Sequence, residues 1–143
     1  MGDREATIRR ALELLGEGED VRVARVSTLR ETDPVGYTEQ PRFVNGAAEV
    51  ETDLSARGLL ERLLAVEREL GRDRSQGERW GPRTIDLDLL LFGDQEVDEP
   101  GLRVPHARLA ERRFVLEPLV ELDAELALPD GRPLREILAT RLE

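Results

Sequence analysis

The sequence predicts an α+β fold in which helices cover one face of an antiparallel sheet, and three observations lead to this prediction. Apolar residues recur at helical spacing in two segments, 3–15 and 55–70. Apolar and polar residues alternate, as in strands, over 21–30, 43–52 and 84–92. The resulting order, helix, strand, strand, helix, strand and then short helices, is typical of one α+β domain spanning residues 1–143.

The two long helices carry their own start and stop signals. Asp3 can cap the first helix, and Gly16 follows its last apolar residue. Ser55 opens the second helix, whose wide apolar stripe faces the core, and Gly71 is expected to end it.

The remaining elements follow from short patterns. The strand over 84–92 is the most apolar one, and Gly93-Asp94 can turn it into a short return at 96–98. The segment 72–83 has no apolar periodicity and reads as a long basic loop. Short helices are expected over 108–113, 117–122 and 133–141.

The composition excludes several classes of protein. All 21 basic residues are Arg, against 31 acidic residues and one His, which gives a formal net charge of −10. The absence of Lys excludes a Walker A loop and Schiff-base chemistry, and the absence of Cys excludes thiolate sites and disulfides. The acidic balance argues against nucleic acid. Because no apolar run spans a bilayer and no signal peptide is evident, we expect a cytoplasmic protein with no membrane partner. We also expect the protein to be a monomer.

Asp86 and Asp88 interrupt the most apolar predicted strand. Residues two apart on a strand face the same side, so both carboxylates would leave one face about 6–7 Å apart. A hard divalent cation such as Mg²⁺, completed by waters and a substrate phosphate, would relieve their repulsion. The alternative is an edge strand whose polar face is simply solvated.

Cationic side chains surround this carboxylate pair in the sequence. Arginine clusters suit bidentate capture of phosphate, and together with Mg²⁺ they disperse the charge of phosphoryl transfer. The cluster therefore predicts a phosphate-rich ligand, although each Arg taken singly could be a solvated surface residue. Its members are Arg72, Arg74, Arg79, Arg83, Arg103, His106, Arg108, Arg112 and Arg113.

Two aromatic residues could contact a flat ligand. Trp80 lies in a loop of Gly and Arg that offers little apolar cover. Phe43 and Asn45 share one face of their strand and offer a ring for stacking and an amide that can read a heterocycle edge. A core role for Phe43 and a structural role for His106 stay open.

A family resemblance rests on a block of fifteen residues, Arg79-Trp80-Gly81-Pro82-Arg83-Thr84-Ile85-Asp86-Leu87-Asp88-Leu89-Leu90-Leu91-Phe92-Gly93. This block resembles the signature of the 6-hydroxymethyl-7,8-dihydropterin pyrophosphokinase family, and the segments 32–36, 43–45, 104–106 and 112–119 agree with it. The resemblance, from residue 2 to about 140, implies a ferredoxin-like α/β sandwich. It also implies transfer of diphosphate from ATP to the pterin hydroxymethyl group, with release of AMP, in folate biosynthesis.

The resemblance further implies roles for individual residues. Asp86 and Asp88 would hold two Mg²⁺ ions, and either carboxylate could accept the proton. ATP or the moving diphosphate would contact Glu67, Arg72, Arg74, Arg83, His106 and Arg112, with Arg74 and Arg83 also catalytic. The pterin would contact Thr32, Val35, Phe43, Asn45, Trp80 and Phe114, its ring lying between Phe43 and Phe114. Trp80 and the loop over 72–83 would close over the complex.

The start of the chain departs from the family pattern. Members usually begin with a strand and a Gly-Ser-Asn-Leu-Gly-Asp-Arg turn, whereas Met1 here stands directly before Gly2-Asp3-Arg4. We therefore expect the first strand of the sheet to be missing. Two rival predictions follow: a protein that binds pterin and nucleotide without turnover, and an unstable fragment. Gly101 and Arg103 also depart from some members, which leaves their part in ATP binding open.

Overall fold

The computed structural model describes residues 2–32, 43–73, 85–106 and 109–140, with only the backbone described at 2–3, 31–32, 43 and 72–73. Short strand pairs and helices confirm an α+β protein; β1 pairs with β4, and the pairs β2–β3 and β5–β6 are antiparallel. In chain order the elements are α1 (Gly2–Leu15), β1 (Val21–Val26), β2 (Arg30–Thr32), β3 (Phe43–Asn45), β4 (Ala48–Thr52), α2 (Ala56–Asp73), β5 (Val97–Glu99), β6 (Leu102–Val104), α3 (Arg113–Leu122) and α4 (Leu134–Ala139).

The chain divides into two compact units. The first consists of Met1–Val23 and Val50–Asp88, and the second of Ala24–Glu49 and Leu89–Glu143. Among the described residues, no helix combines the length and the apolar character needed to cross a bilayer.

The first unit is built on α1 packed against α2. Both helices bury one apolar stripe, as their spacing predicts. Ser55 caps α2, since its Oγ accepts the Gly58 N–H at 3.0 Å. The buried residues of the unit are Ala11, Leu14, Leu15, Val21, Ala56, Leu59, Leu63, Val66 and Leu70.

The predicted end of α2 at Gly71 is wrong. The helix continues through Gly71 to Asp73, two residues into the segment expected to be a loop. Glycine costs a helix interior about 1 kcal/mol, which is not enough to end a helix whose stripe is already buried. The rest of the predicted basic loop, residues 74–83, lies outside the described residues.

The core of the second unit forms where α3 packs against α4. Leu116 and Leu134 are completely buried there, and Leu90 and Leu91 pack against the same cluster. The buried members are Leu109, Leu116, Leu119, Leu128 and Leu134. This core fixes α3, the helix that carries Phe114.

The predicted strands 21–30 and 43–52 are each interrupted near their middle or end, where the two segments contact each other. The first is interrupted at residues 27–29 and the second at residues 46–47. Ser27 N–H donates to the Ala47 carbonyl and Ala47 N–H donates to Ser27 Oγ, both at 2.8 Å. Each predicted strand is therefore observed as two shorter strands.

The strand predicted over 84–92 is absent from its described part, residues 85–92. A strand requires a ladder partner, and no described strand pairs with this segment. The Gly93-Asp94 turn is present, with Gly93 at a φ of 59°. The return strand instead pairs forward as β5 with β6, so that Val97 lies opposite Val104.

The C-terminal helices are fewer than expected. Within the predicted helix 108–113, residues 109–111 form a turn, and Arg113 is already the first residue of α3. The helix α3 includes the whole of the predicted helix 117–122, and it contains Pro118 in its interior. The last predicted helix is confirmed as α4, which Pro133 precedes.

Candidate functional site

Asp86 and Asp88 are exposed, whereas Ile85, Leu87 and Leu89 are half-buried. The predicted alternation of faces is therefore present although the segment forms no strand. Because the apolar neighbours are partly covered by protein, the two carboxylates are the groups of this segment that water and ligands reach. The arrangement fits a binding role for the pair in the first unit.

Glu67 holds the backbone between the two aspartates. It lies on α2, and its Oε2 accepts the Leu87 N–H at 2.5 Å. A hydrogen bond to a carboxylate is stronger than one between neutral groups. Glu67 thus supplies the acceptor that a neighbouring strand would otherwise supply, and it restrains the peptide that joins Asp86 to Asp88.

Replacing Glu67 by Ala is expected to accelerate exchange of the Leu87 amide hydrogen roughly tenfold or more. The reason is that a hydrogen bond to a charged acceptor contributes about 1.5–3 kcal/mol. NMR hydrogen exchange measures this directly, and Glu69→Ala, at an exposed position of the same helix, is the control. Unchanged exchange at Leu87 in the Glu67 variant would contradict the assigned contact.

The β2–β3 ladder brings together three residues predicted to contact the pterin. Thr32 lies opposite Phe43, and Arg30 lies opposite Asn45. The ladder places the backbones of Thr32, Phe43 and Asn45 side by side in the second unit. Asn45 is half-buried.

Phe114 lies next to this ladder. It occupies the first turn of α3, which contacts β3, and it remains 40% exposed although it is one of the largest apolar side chains of the unit. An exposed ring on α3 can stack on a flat heterocycle, and a half-buried amide on β3, the strand that α3 contacts, can bind the edge of the same heterocycle. The structure therefore brings Phe114 and Asn45 onto adjacent elements, as their predicted common role requires.

His106 and Arg112 also belong to the second unit. His106 is half-buried and follows β6; its backbone N–H donates to the Leu90 carbonyl at 2.9 Å. Arg112 is exposed and lies directly before α3, where its carbonyl accepts the Val115 N–H at 3.1 Å. The backbone positions of both residues are thus fixed by hydrogen bonds, and the Arg112 side chain is accessible to an anion.

Several predicted site residues cannot be placed. Only the backbone of Arg72 is described, in the last turn of α2, and the same holds for Thr32 and Phe43 in their strands. The predictions for Val35, Arg74, Trp80 and Arg83 lie outside the described residues.

Comparison with known proteins identifies the family to which the chain belongs. The family model described as 7,8-dihydro-6-hydroxymethylpterin-pyrophosphokinase (HPPK) matches residues 1–124. The chain belongs to the HPPK family. The match includes the carboxylate pair, the β2–β3 ladder and the start of α3.

Individual HPPK relatives agree with this assignment. The chain is 50% identical to the 2-amino-4-hydroxy-6-hydroxymethyldihydropteridine pyrophosphokinase of Pseudomonas aeruginosa over 92% of this chain and 80% of the relative. The Bacillus subtilis protein of the same name is 49% identical over 85% and 72% of the two chains. A folic acid synthesis protein of Schizosaccharomyces pombe is 41% identical over 96% of this chain but only 19% of its own length. The rival prediction of a binding protein without turnover gains no support from these names.

The carboxylate pair fits the magnesium ions expected in an HPPK protein. Oxygen donors are the ligands that Mg²⁺ prefers, and the ion usually keeps several waters and takes substrate phosphates. Within the described ranges, no group of three or more His, Cys, Asp or Glu residues could enclose a metal by itself. Asp86 and Asp88 supply oxygen donors of this kind, and both side chains are exposed.

Sequence reasoning missed the polar residues that join β2 to the HPPK helix α3. Arg30 contacts Glu117 and Glu121, and Glu121 also accepts from Thr28. The Thr28 backbone N–H, followed by its hydroxyl, holds the pKa of Glu121 below its ordinary value. The i, i+4 spacing of Glu117 and Glu121 shows that they share one face of a helix, but it does not show which strand that face contacts.

A surface groove in the first unit is unrelated to the predicted site residues. Its volume is about 350 Å³, and Arg62 reaches from it to the Leu15 carbonyl at 3.1 Å. It is lined by Leu14, Glu17, Gly18, Arg62, Ala65, Val66 and Glu69. None of these residues belongs to the predicted ATP or pterin contacts.

Proposed function

We propose that this protein transfers diphosphate from ATP to the hydroxymethyl group of 6-hydroxymethyl-7,8-dihydropterin and releases AMP, as a step of folate biosynthesis. The observation that carries the proposal is the HPPK family match over residues 1–124. The exposed Asp86 and Asp88 and the ring and amide of Phe114 and Asn45 supply the two kinds of contact that this reaction needs.

Asp86 and Asp88 hold two Mg²⁺ ions in this proposal. When bound, the ions neutralise phosphate charge and make the acceptor hydroxyl easier to deprotonate. Glu67 keeps the peptide between the two aspartates in place through the Leu87 N–H, which limits the positions that their carboxylates sample. One of the two carboxylates accepts the proton, and which of them does so stays open.

Cationic side chains bind ATP and the moving diphosphate. His106 and Arg112, together with Arg72, Arg74 and Arg83, contact phosphate oxygens, and Arg74 and Arg83 act in the transfer itself. Arginine suits this task because its planar guanidinium binds two phosphate oxygens at once. Glu67 is also predicted near the nucleotide.

The pterin ring lies between Phe43 and Phe114, and the Asn45 amide binds its polar edge. Thr32, Val35 and Trp80 complete the contacts. Stacking and amide hydrogen bonds orient the hydroxymethyl group without any covalent contact. Closure of the 72–83 segment with Trp80 excludes water that would otherwise attack ATP.

The reaction is an in-line displacement at the β-phosphorus. The hydroxymethyl oxygen forms a bond to that phosphorus, the bond from the β-phosphorus to the α,β-bridging oxygen breaks, and AMP departs with its electron pair. The hydroxyl proton leaves to a carboxylate. Positioning and charge neutralisation supply most of the rate in such transfers.

The finer structural predictions belong to the same proposal. We propose a ferredoxin-like sandwich in which residues 1–143 act as a single domain, and a cytoplasmic monomer that binds neither nucleic acid nor membranes. The mixed helices and antiparallel strand pairs are compatible with that fold class.

Incubation with ATP, Mg²⁺ and 6-hydroxymethyl-7,8-dihydropterin is expected to give AMP and the pterin diphosphate in equal amounts. Chromatography separates AMP from ADP and follows the pterin product. Reactions without pterin and with a chelator in excess over Mg²⁺ are the controls, and both should give no AMP. Formation of ADP, or pterin binding without AMP, would refute the proposed reaction.

A further inference from the structure

We propose that Arg30 is a positioning residue for the pterin: it clamps α3 to the β2–β3 ladder and so sets the spacing between Phe114 and Asn45. This inference rests on the proposed function. All the residues involved lie in the second unit.

The clamp begins at the ladder position opposite Asn45, which is occupied by Arg30. Its guanidinium donates through Nη1 to Glu117 Oε1 at 3.2 Å and through Nη2 to Glu121 Oε1 at 3.1 Å. The two carboxylates lie one turn apart on α3. The Arg30 side chain therefore binds two successive turns of the helix. We call Arg30, Glu117 and Glu121 the clamp.

The second oxygen of each carboxylate is also engaged. Glu121 Oε2 accepts the Thr28 N–H and the Thr28 hydroxyl, each at 2.8 Å. Glu117 Oε2 accepts from Arg113 Nε at 2.8 Å. With all four carboxylate oxygens bonded, neither glutamate can turn away without breaking a contact.

The clamp and Phe114 share one side of α3. Residues three and four apart are neighbours on a helix, so Phe114, Glu117 and Glu121 form one stripe. Glu117 and Glu121 bind Arg30 of β2, the strand that pairs with β3, and Phe114 is the exposed ring. A change in the rotation or height of α3 would therefore move the ring relative to Asn45.

The clamp is not needed for the core of the unit. The side chains of Arg30, Glu117 and Glu121 are 42%, 31% and 33% exposed, and exposed ion pairs add little to stability. The packing of α3 is already provided by the buried Leu116 and Leu119. What the polar contacts add is a defined orientation of the helix, which matters where a ligand must fit between its first turn and β3.

Arg30→Met tests the inference because it keeps much of the side-chain length and removes the charge and the donors. We expect the pterin Kd and KM to rise roughly tenfold, within the range found for residues that act through others, and the ATP KM to stay within about twofold. The matched control is Arg22→Met, which removes an exposed ion pair, to Glu51, that does not involve α3. This control should bind pterin as the unchanged protein does.

A double-variant cycle separates positioning from other effects. If Arg30 acts through Phe114, Arg30→Met should leave pterin affinity unchanged in a Phe114→Ala background. An equal loss in both backgrounds, or normal pterin binding by Arg30→Met, would overturn the inference. Should Arg30→Met fail to fold, Glu117→Gln and Glu121→Gln, which keep the side-chain shapes, take its place with the same expected result.

The outcomes also distinguish this inference from the proposed function. An unchanged protein that forms AMP, together with an Arg30→Met variant that binds pterin normally, refutes the clamp alone. An unchanged protein that neither binds pterin nor forms AMP refutes both.

Discussion

Replacing Asp86 or Asp88 by Asn is expected to lower the rate of AMP formation by roughly 10³-fold or more, the scale of losing a main electrostatic contact to a transition state. Asn keeps the shape of the side chain but removes the negative charge that a divalent cation requires. Both aspartates are exposed, so the fold should survive the change.

Asp94→Asn is a suitable control for these variants, because Asp94 is an exposed carboxylate in the turn that follows the same segment. Its activity should match that of the unchanged protein. Circular dichroism checks the fold, and calorimetric titration with Mg²⁺ and a nonhydrolysable ATP analogue should show weaker metal binding by the Asp86 and Asp88 variants. Full activity of either variant would refute the metal assignment.

Leu116→Ala is expected to have the largest effect on stability. Leu116 is 0% exposed at the centre of the second unit, and truncating such a leucine costs about 2–5 kcal/mol through lost burial and a residual cavity. Urea unfolding followed by circular dichroism measures the loss. The loss should reduce pterin binding as well, because Leu116 packs on the inner side of the helix that carries Phe114.

The matched comparison is Leu64→Ala, the same truncation at a position of α2 that is 40% exposed. Its free energy of unfolding should change by no more than about 0.5 kcal/mol, as for most surface substitutions. A loss below about 1 kcal/mol at Leu116 would contradict the packing described for the second unit.

The two long helices could be predicted because their signals are local. The first helix is predicted to begin at Asp3, one residue after the observed start, and the apolar stripe of α2 predicts its buried residues. The predicted cap at Asp3 is wrong, since α1 begins at Gly2 and Asp3 lies inside the helix. The prediction of a strand over 84–92 was wrong because it depended on a non-local contact. Alternation of apolar and polar residues specifies the two faces of a segment but does not provide a neighbouring strand to pair with. The break at Ser27 and Ala47 is also non-local, since it depends on contacts between segments far apart in the chain.

In the predicted site, too, features with local signals could be predicted and features that depend on non-local contacts could not. The Asp86 and Asp88 pair could be identified because side chains two apart share a face, and their exposure agrees with this. The common role predicted for Asn45 and Phe114 could not be obtained from spacing, since they lie on different elements, and it came only from the family resemblance. The clamp of Arg30, Glu117 and Glu121 was missed, because charges on a surface helix are usually solvated.

The break between Ser27 and Ala47 helps to fix the face of the β2–β3 ladder on which Asn45 lies. A one-residue slip of β3 would turn Asn45 to the opposite face, as it would in any strand. The reciprocal hydrogen bonds of Ser27 and Ala47 oppose such a slip, and a side chain at Gly46 would meet Leu29 Cδ2 at 2.6 Å. The break that shortens the predicted strands therefore also specifies the register of the β2–β3 ladder, and with it the face that offers the Asn45 amide.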